Sequence, residues 1–181
     1  LVVLVALVVY ALTLPRTVFG LDSAELATGA YTLGIVHSPG APLYMVLGHL
    51  MSRLPWGDVG FRLNLMSALF AAGAAGLHYL VGLRVVRQPW LAAAAALAVA
   101  FNYYIWAWAI VAELYAPHTF FVLLVTWLLL KGAEQGRLIW YGWAGLAGGL
   151  GLGNHTALSL MAPAYAWLIL SAPAPVPRRV K

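Results

Sequence analysis

The 181 residues predict an all-α fold, a polytopic membrane helical bundle, on three observations. The chain is 64% hydrophobic and 8% charged, with a mean hydropathy of +0.89. Its apolar runs recur along the whole length at a spacing suited to membrane spans of about 20 residues. The runs are continuous, without the apolar–polar alternation of a membrane β-barrel. Zero cysteines exclude disulfides and thiolate metal sites. The net charge of +5 falls in short interhelical loops, where the positive-inside rule puts basic residues. Membrane lipids are therefore the expected partners, and nucleic acid is not.

About six hydrophobic segments follow in order, read as one transmembrane domain over 1–181. Leu1–Leu14 is short for a span and ends at Pro15. It starts without Met and lacks the charged region and cleavage site of a signal peptide, so the sequence reads as a piece of a longer chain. Residues 15–60 form a polar-interrupted outer loop holding two helices. Ser23–Ile35 is stopped by "HSPGAP", and Leu43–Leu54 is too short to span. The second of these puts His49, Ser52 and Arg53 on one face and is expected to lie in the interface. Phe61–Leu83 is the second segment, closed by Arg84 and Arg87. Pro89–Val111 is the third, with proline at a helix start, where its missing N–H costs little. After "AELYAPH" comes His118–Leu130, closed by Lys131 and Arg137. Ile139–Leu170 is long for one span. Split at "GNHT" into two short helices, it keeps Arg84, Arg87, Lys131, Arg137, Arg178, Arg179 and Lys181 on one side. Both ends are then cytoplasmic, and the loop and both turns share the outer face.

Every side chain of obvious chemical potential converges on that face: Asp22, Glu25, His37, Glu113, His118, Asn154 and His155, joined by Arg16 and Arg62. "DSAEL" has the spacing of a capping box, with Asp22 accepting from the helix amides and Glu25 reaching back. The same spacing also suits a carboxylate preorganised at a membrane lip. "HSPGAPLY" reads either as a rigid turn or as part of a site. Glu113 ends a helix where an acid is expensive and tends to have a partner or a role. The glycines at 145, 148, 149, 151 and 153 lack the Lys and Ser/Thr of a phosphate loop. Their small-xxx-small spacing, Gly145/Gly149 and Gly149/Gly153, predicts close helix packing. His78 and Asn102 read as interhelical hydrogen bonders, and "NYYIWAW" as an interface belt. The five histidines have no ligand-like spacing, so no metal site is expected.

Together, "GLDSAELATGAYTLGIVHSPGAPLY", "LPWGDVGFRLNLMSALFAA", "AELYAPHTFF" and "GLGNHTALSL" resemble a bacterial membrane family first described as a domain of unknown function. Its animal relatives are protein O-mannosyltransferases, within the GT-C superfamily of polytopic glycosyltransferases. The resemblance implies a GT-C-like N-terminal transmembrane module in a bacterial inner membrane. It also implies transfer of a sugar from a polyprenyl-phosphate donor to an acceptor hydroxyl at the outer leaflet, with inversion and with no cofactor. The family's first-loop acidic motif falls on Asp22 and Glu25 as catalytic residues, with Asp22 the general base. Its histidine-proline-glycine turn falls on His37, Pro39 and Gly40, with Ser38 where a proline is more usual. Its glutamate-tyrosine-proline turn falls on Glu113, Tyr115 and Pro117, and its Asn-His pair on Asn154 and His155. His37, Glu113, His118, Asn154 and His155 are thereby implied to bind substrate, and Arg16 or Arg62 the phosphate. Such enzymes carry more than six spans. The alternative is a non-catalytic, truncated GT-C-like subunit whose partners are other membrane subunits.

Overall fold

Helix starts and stops in this chain follow from a few capping and breaking residues. The computed structural model describes residues 1–20 and 22–172. The basic tail at Arg178, Arg179 and Lys181, used above to set sidedness, lies outside the described residues. Nine α-helices are described: α1 Val2–Thr13, α2 Ser23–Thr32, α3 Pro42–Ser52, α4 Val59–Val86, α5 Pro89–Ala100, α6 Tyr103–Ala109, α7 Tyr115–Gln135, α8 Leu138–Asn154 and α9 Ala162–Leu170. A 3-10 turn, Thr156–Met161, joins the last two. No strand occurs among the described residues.

α4 starts where Asp58 accepts from the Phe61 amide at 2.7 Å, a side-chain cap on one of the four amides a helix start leaves free. It packs against α1, α5 and α7. Small side chains permit this, since Ala68, Ala71, Ala72 and Ala75 meet Ala6, Tyr10, Ala96 and Ala100 in one core. The Tyr10 hydroxyl donates to the Ala100 carbonyl at 2.7 Å, an acceptor freed by the end of α5. α2 and α3 pack on each other and on the start of α4 through Leu26, Ala30, Tyr44, Met45 and Leu63. The face of α3 carrying His49 and Ser52 turns inward. His49 Nδ1 sits 3.0 Å from the Ala30 carbonyl, and Ser52 is buried.

Two of these helices, α4 and α7, are long and apolar enough to cross a membrane. Counting α5 and α6 as one bent span makes three. The six expected segments all exist as apolar stretches, but the others fall short of a full crossing. The 12 residues of α1 reach about 18 Å against a hydrocarbon core of about 30 Å. The expected Pro89–Val111 span is broken by a 69° bend. At the break Asn102, expected to bond between helices, instead caps α6, its side chain accepting from the Tyr104 amide at 3.1 Å. His78 makes no hydrogen bond among the described residues and faces an apolar cavity of about 70 Å³. The break at "GNHT" lies where expected, with α8 ending at Asn154 and His155 extended.

The glycine spacing on α8 identified the packed positions only in part: a Cβ at Gly153 would lie 3.5 Å from Leu43 of α3. A Cβ at Gly145 or Gly149 would meet nothing within 4 Å. One at Gly151 would fall 2.6 Å from Leu158 and 2.8 Å from Phe121. The end of the array remote from α2 carries the Arg84–Glu134 ion pair at 2.7 Å. There Lys131 also lies over the Trp140 and Trp127 rings, at 3.9 and 4.5 Å.

Candidate active site

Asp22 occupies the N-cap position of α2 but does not cap it. Its backbone is helical, φ −74° and ψ −10°, and its carboxylate accepts no cap hydrogen bond. Capping needs an extended residue that swings its oxygen back over the first amides. Glu25 does not reach back either. Its Oε1 accepts from the His37 amide at 2.6 Å, and its Oε2 meets His37 Nδ1 at 2.8 Å. His37 Nε2 lies 3.9 Å from Asp22 Oδ2. The capping box therefore does not form, because the turn after α2 delivers a better partner.

That turn is built by its sequence. Leu33 adopts φ 52°, and the Gly34 amide returns to the Gly29 carbonyl at 2.8 Å, closing α2. Gly40, at φ 92°, donates its amide to the His37 carbonyl at 2.9 Å. A Cβ on Gly29 would collide with Val36 and Met45, so glycine there lets the turn fold down and present His37 to Glu25.

Glu113 lies in the turn between α6 and α7, at 4% exposure. Burial, and next the charge of Asp22, push its carboxyl up to about 7, while His37 and the Leu114 amide oppose the rise. Hydrogen bonding from His37 holds Glu25 below the ordinary carboxylate range. Glu25 in turn raises His37. Three of the chain's five acids thus share one corner with a histidine that favours its cationic form.

Asn64 fixes this corner, and sequence reasoning missed it. Its Nδ2 donates to the Pro15 and Thr17 carbonyls, both at 3.0 Å, and its Oδ1 accepts from the Ala112 amide at 2.8 Å. One buried amide therefore ties the approach to α2, the start of α4 and the backbone beside Glu113. A lone Asn in an apolar helix was the available signal.

The other predicted residues form a second group on the same turn. The His118 and His155 rings stand 5.1 Å apart, and Tyr115 stacks 6.2 Å from His155. His118 Nδ1 is buried without a partner among the described residues. Asn154 is buried and donates to the Leu114 carbonyl at 3.1 Å, so it holds the turn from the α8 side. The charge of Asp22 bears on Glu113, whereas His155 belongs to this neighbouring aromatic group.

The two arginines differ. Arg62 donates to the backbone carbonyls of Ser52, Leu54, Gly57 and Asp58, and so clamps the turn between α3 and α4. Arg16 lies over the Phe61 ring at 5.4 Å and makes no side-chain hydrogen bond among the described residues.

The family model of the protein O-mannosyl-transferase TMEM260 N-terminal domain matches residues 22–176, beginning at Asp22 itself. The chain is 39% identical over 127 residues to the mouse protein O-mannosyl-transferase TMEM260, covering 70% of this chain and 18% of the mouse protein. It is 27% identical over 124 residues to the Dictyostelium discoideum protein O-mannosyl-transferase tmem260, covering 67% of this chain and 15% of that protein. The match thus spans less than a fifth of the length of these curated relatives. No solved structure matches the chain.

Proposed function

The chain belongs to the family of the protein O-mannosyl-transferase TMEM260 N-terminal domain, and from that premise we propose that it carries the catalytic corner of a GT-C-type membrane glycosyltransferase. The reaction moves a sugar from a polyprenyl-phosphate donor to an acceptor hydroxyl, with inversion, at the outer face of a bacterial inner membrane. The observation that carries this reading is Asp22: at a helix N-cap it makes no cap bond and stays exposed. A carboxylate without structural employment at the lip of membrane-capable helices is available for proton transfer.

In this reading Asp22 accepts the proton of the acceptor hydroxyl as its oxygen attacks the anomeric carbon. The bond from that carbon to the phosphate oxygen breaks on the opposite side, and polyprenyl phosphate leaves. Glu25 and His37 hold each other and keep the corner in shape. Arg16, with its donors uncommitted among the described residues, is the arginine suited to the departing phosphate. His118, His155 and Tyr115 offer an aromatic wall for the sugar or its lipid.

Asp22→Asn in the full-length protein tests the assignment. Transfer from a polyprenyl-phosphate sugar in nanodiscs should fall by roughly two orders of magnitude, with the thermal midpoint unchanged because no cap bond is lost. Unaltered turnover in a folded Asp22→Asn protein sinks the general-base role. A wild type with no turnover for any such donor points instead to a non-catalytic subunit.

A further inference from the structure

We propose that the groove between α7 and α8, opening at the end of the array remote from α2, binds one anionic phospholipid, with its phosphate on Lys131 and one acyl chain along the groove. The groove holds about 450 Å³ and is lined by Phe121, Leu124 and Leu128 of α7 and by Trp140, Trp143 and Leu150 of α8. Lys131 continues the α7 stripe, since positions 121, 124, 128 and 131 follow at the three- and four-residue steps that share one helix face. Its ammonium lies 3.9 Å from the centre of the Trp140 ring and 4.5 Å from that of Trp127. Trp140 thus serves twice, as a wall of the groove and as the platform under the charge at its mouth. Its indole nitrogen donates to Gln135 Oε1 at 2.7 Å, which orients the ring. A Cβ at Gly132 would lie 3.0 Å from the Tyr141 ring, so glycine there lets α7 and α8 close together beside Lys131.

Charge selects the ligand. Glu134 is the acid at this end, and it is spent on Arg84, whose Nε donates to it at 2.7 Å. Lys131 has no acidic partner among the described residues. The two rings attract the ammonium but leave its three N–H donors without an oxygen acceptor, and a lipid phosphate supplies one. Arg87 ends α4 and Arg137 precedes α8 at the same end, so base outnumbers acid there. An end so basic is the one that the positive-inside rule turns toward the leaflet rich in anionic lipid. Length selects a lipid chain over a further helix. From Trp140 to Leu150 α8 rises about 15 Å, half of a hydrocarbon core of about 30 Å and so the depth of one leaflet. A spanning helix needs the full depth.

The proposal is independent of sugar transfer, because no group of the catalytic corner takes part. The full-length protein is placed in phosphatidylcholine nanodiscs with a small share of phosphatidylglycerol that carries a photoactivatable diazirine in one acyl chain. After illumination, peptide mass spectrometry locates the label, and phosphatidylcholine with the same diazirine is the control. Phosphatidylglycerol should label the groove faces of α7 and α8 at least about fivefold more than phosphatidylcholine, the ratio expected for one basic residue at a membrane surface. Lys131→Gln should abolish that preference and Lys131→Arg should keep it. Leu146→Trp, which adds bulk to the groove wall without altering charge, should cut labelling there by both lipids. Circular dichroism and the thermal midpoint show that each variant is folded. Equal labelling by the two lipids overturns the proposal, as does a preference that Lys131→Gln leaves intact or labelling that Leu146→Trp leaves unchanged. A groove that neither lipid labels, covered by another segment of the chain or by a second copy, overturns it as well.

Discussion

Glu25 can serve either its own helix or the following turn, and distance decides for the turn, since its two oxygens meet His37 at 2.6 and 2.8 Å. The pair has a pH window with two edges. Because Glu25 is lowered from 4.5, its contribution is present above that value and is lost as pH falls through the depressed pKa. Because His37 is raised from 6.5, its contribution is present below that value and is lost as pH rises through the elevated pKa. Protection of the turn at 33–41 from limited proteolysis should therefore be greatest near pH ~5.5 and decline on both sides. A flat profile would mean the pair does not hold the turn. The sequence displayed the two acids and the histidine as separate motifs. Their pairing was invisible because it depends on Gly29 letting Val36 approach, a contact no spacing rule encodes.

Among elements, α4 and α8 give contrasting tests. Asp58 caps α4 with a real hydrogen bond, so Asp58→Ala should cost about 1 kcal/mol of stability and Asp58→Asn very little. The Phe61 amide holds Asp58 below the ordinary carboxylate range, so the wild-type cap weakens only as pH falls through that depressed value. On α8, Gly151→Ala drives a methyl into Leu158 and Phe121 and should cost about 1–3 kcal/mol. Gly145→Ala meets open space and should be neutral or gain up to about 1 kcal/mol from helix propensity. Unfolding of the purified protein in detergent measures all four. The boundaries at Pro89 and "GNHT" were legible because those residues punctuate the chain locally, whereas α7, Tyr115–Gln135, extends past the expected His118–Leu130 at both ends. The tightest-packed glycine of α8, Gly151, was not legible, because small-xxx-small spacing marks a face without saying what meets it. The bend before α6 escaped notice for the same reason: Asn102 looked like any polar residue in a span until its backbone was known.

For the whole molecule, the helical class and its membrane character were legible from composition, since no soluble core explains 64% apolar residues with 8% charged. What composition could not supply is which segments have the length to cross. The absence of cysteine from these 181 residues permits a direct test of arrangement. Ser38→Cys, in the turn after α2, and Arg137→Cys, before α8, should react with an impermeant thiol reagent from opposite sides of a sealed vesicle. Labelling of both from one side would show that α4, the bent α5–α6 pair and α7 do not all three cross. The corner itself hangs on Asn64. Asn64→Ala leaves a buried amide and two carbonyls unmet and should cost about 2–4 kcal/mol, measured as above. It should also weaken transfer by releasing the turn that carries Glu113.

Asn64 also imposes a timetable. Its partners lie 49 and 47 residues before it and 48 after it. A chain threaded into the bilayer from its N-terminus can satisfy the two earlier carbonyls as soon as α4 enters. It must wait for the segment up to Ala112 before the last hydrogen bond closes. Until then the corner is only half tied. Glu113 is thus brought to the corner of Asp22 and Glu25 as a late act of biogenesis, after α4 has entered the bilayer.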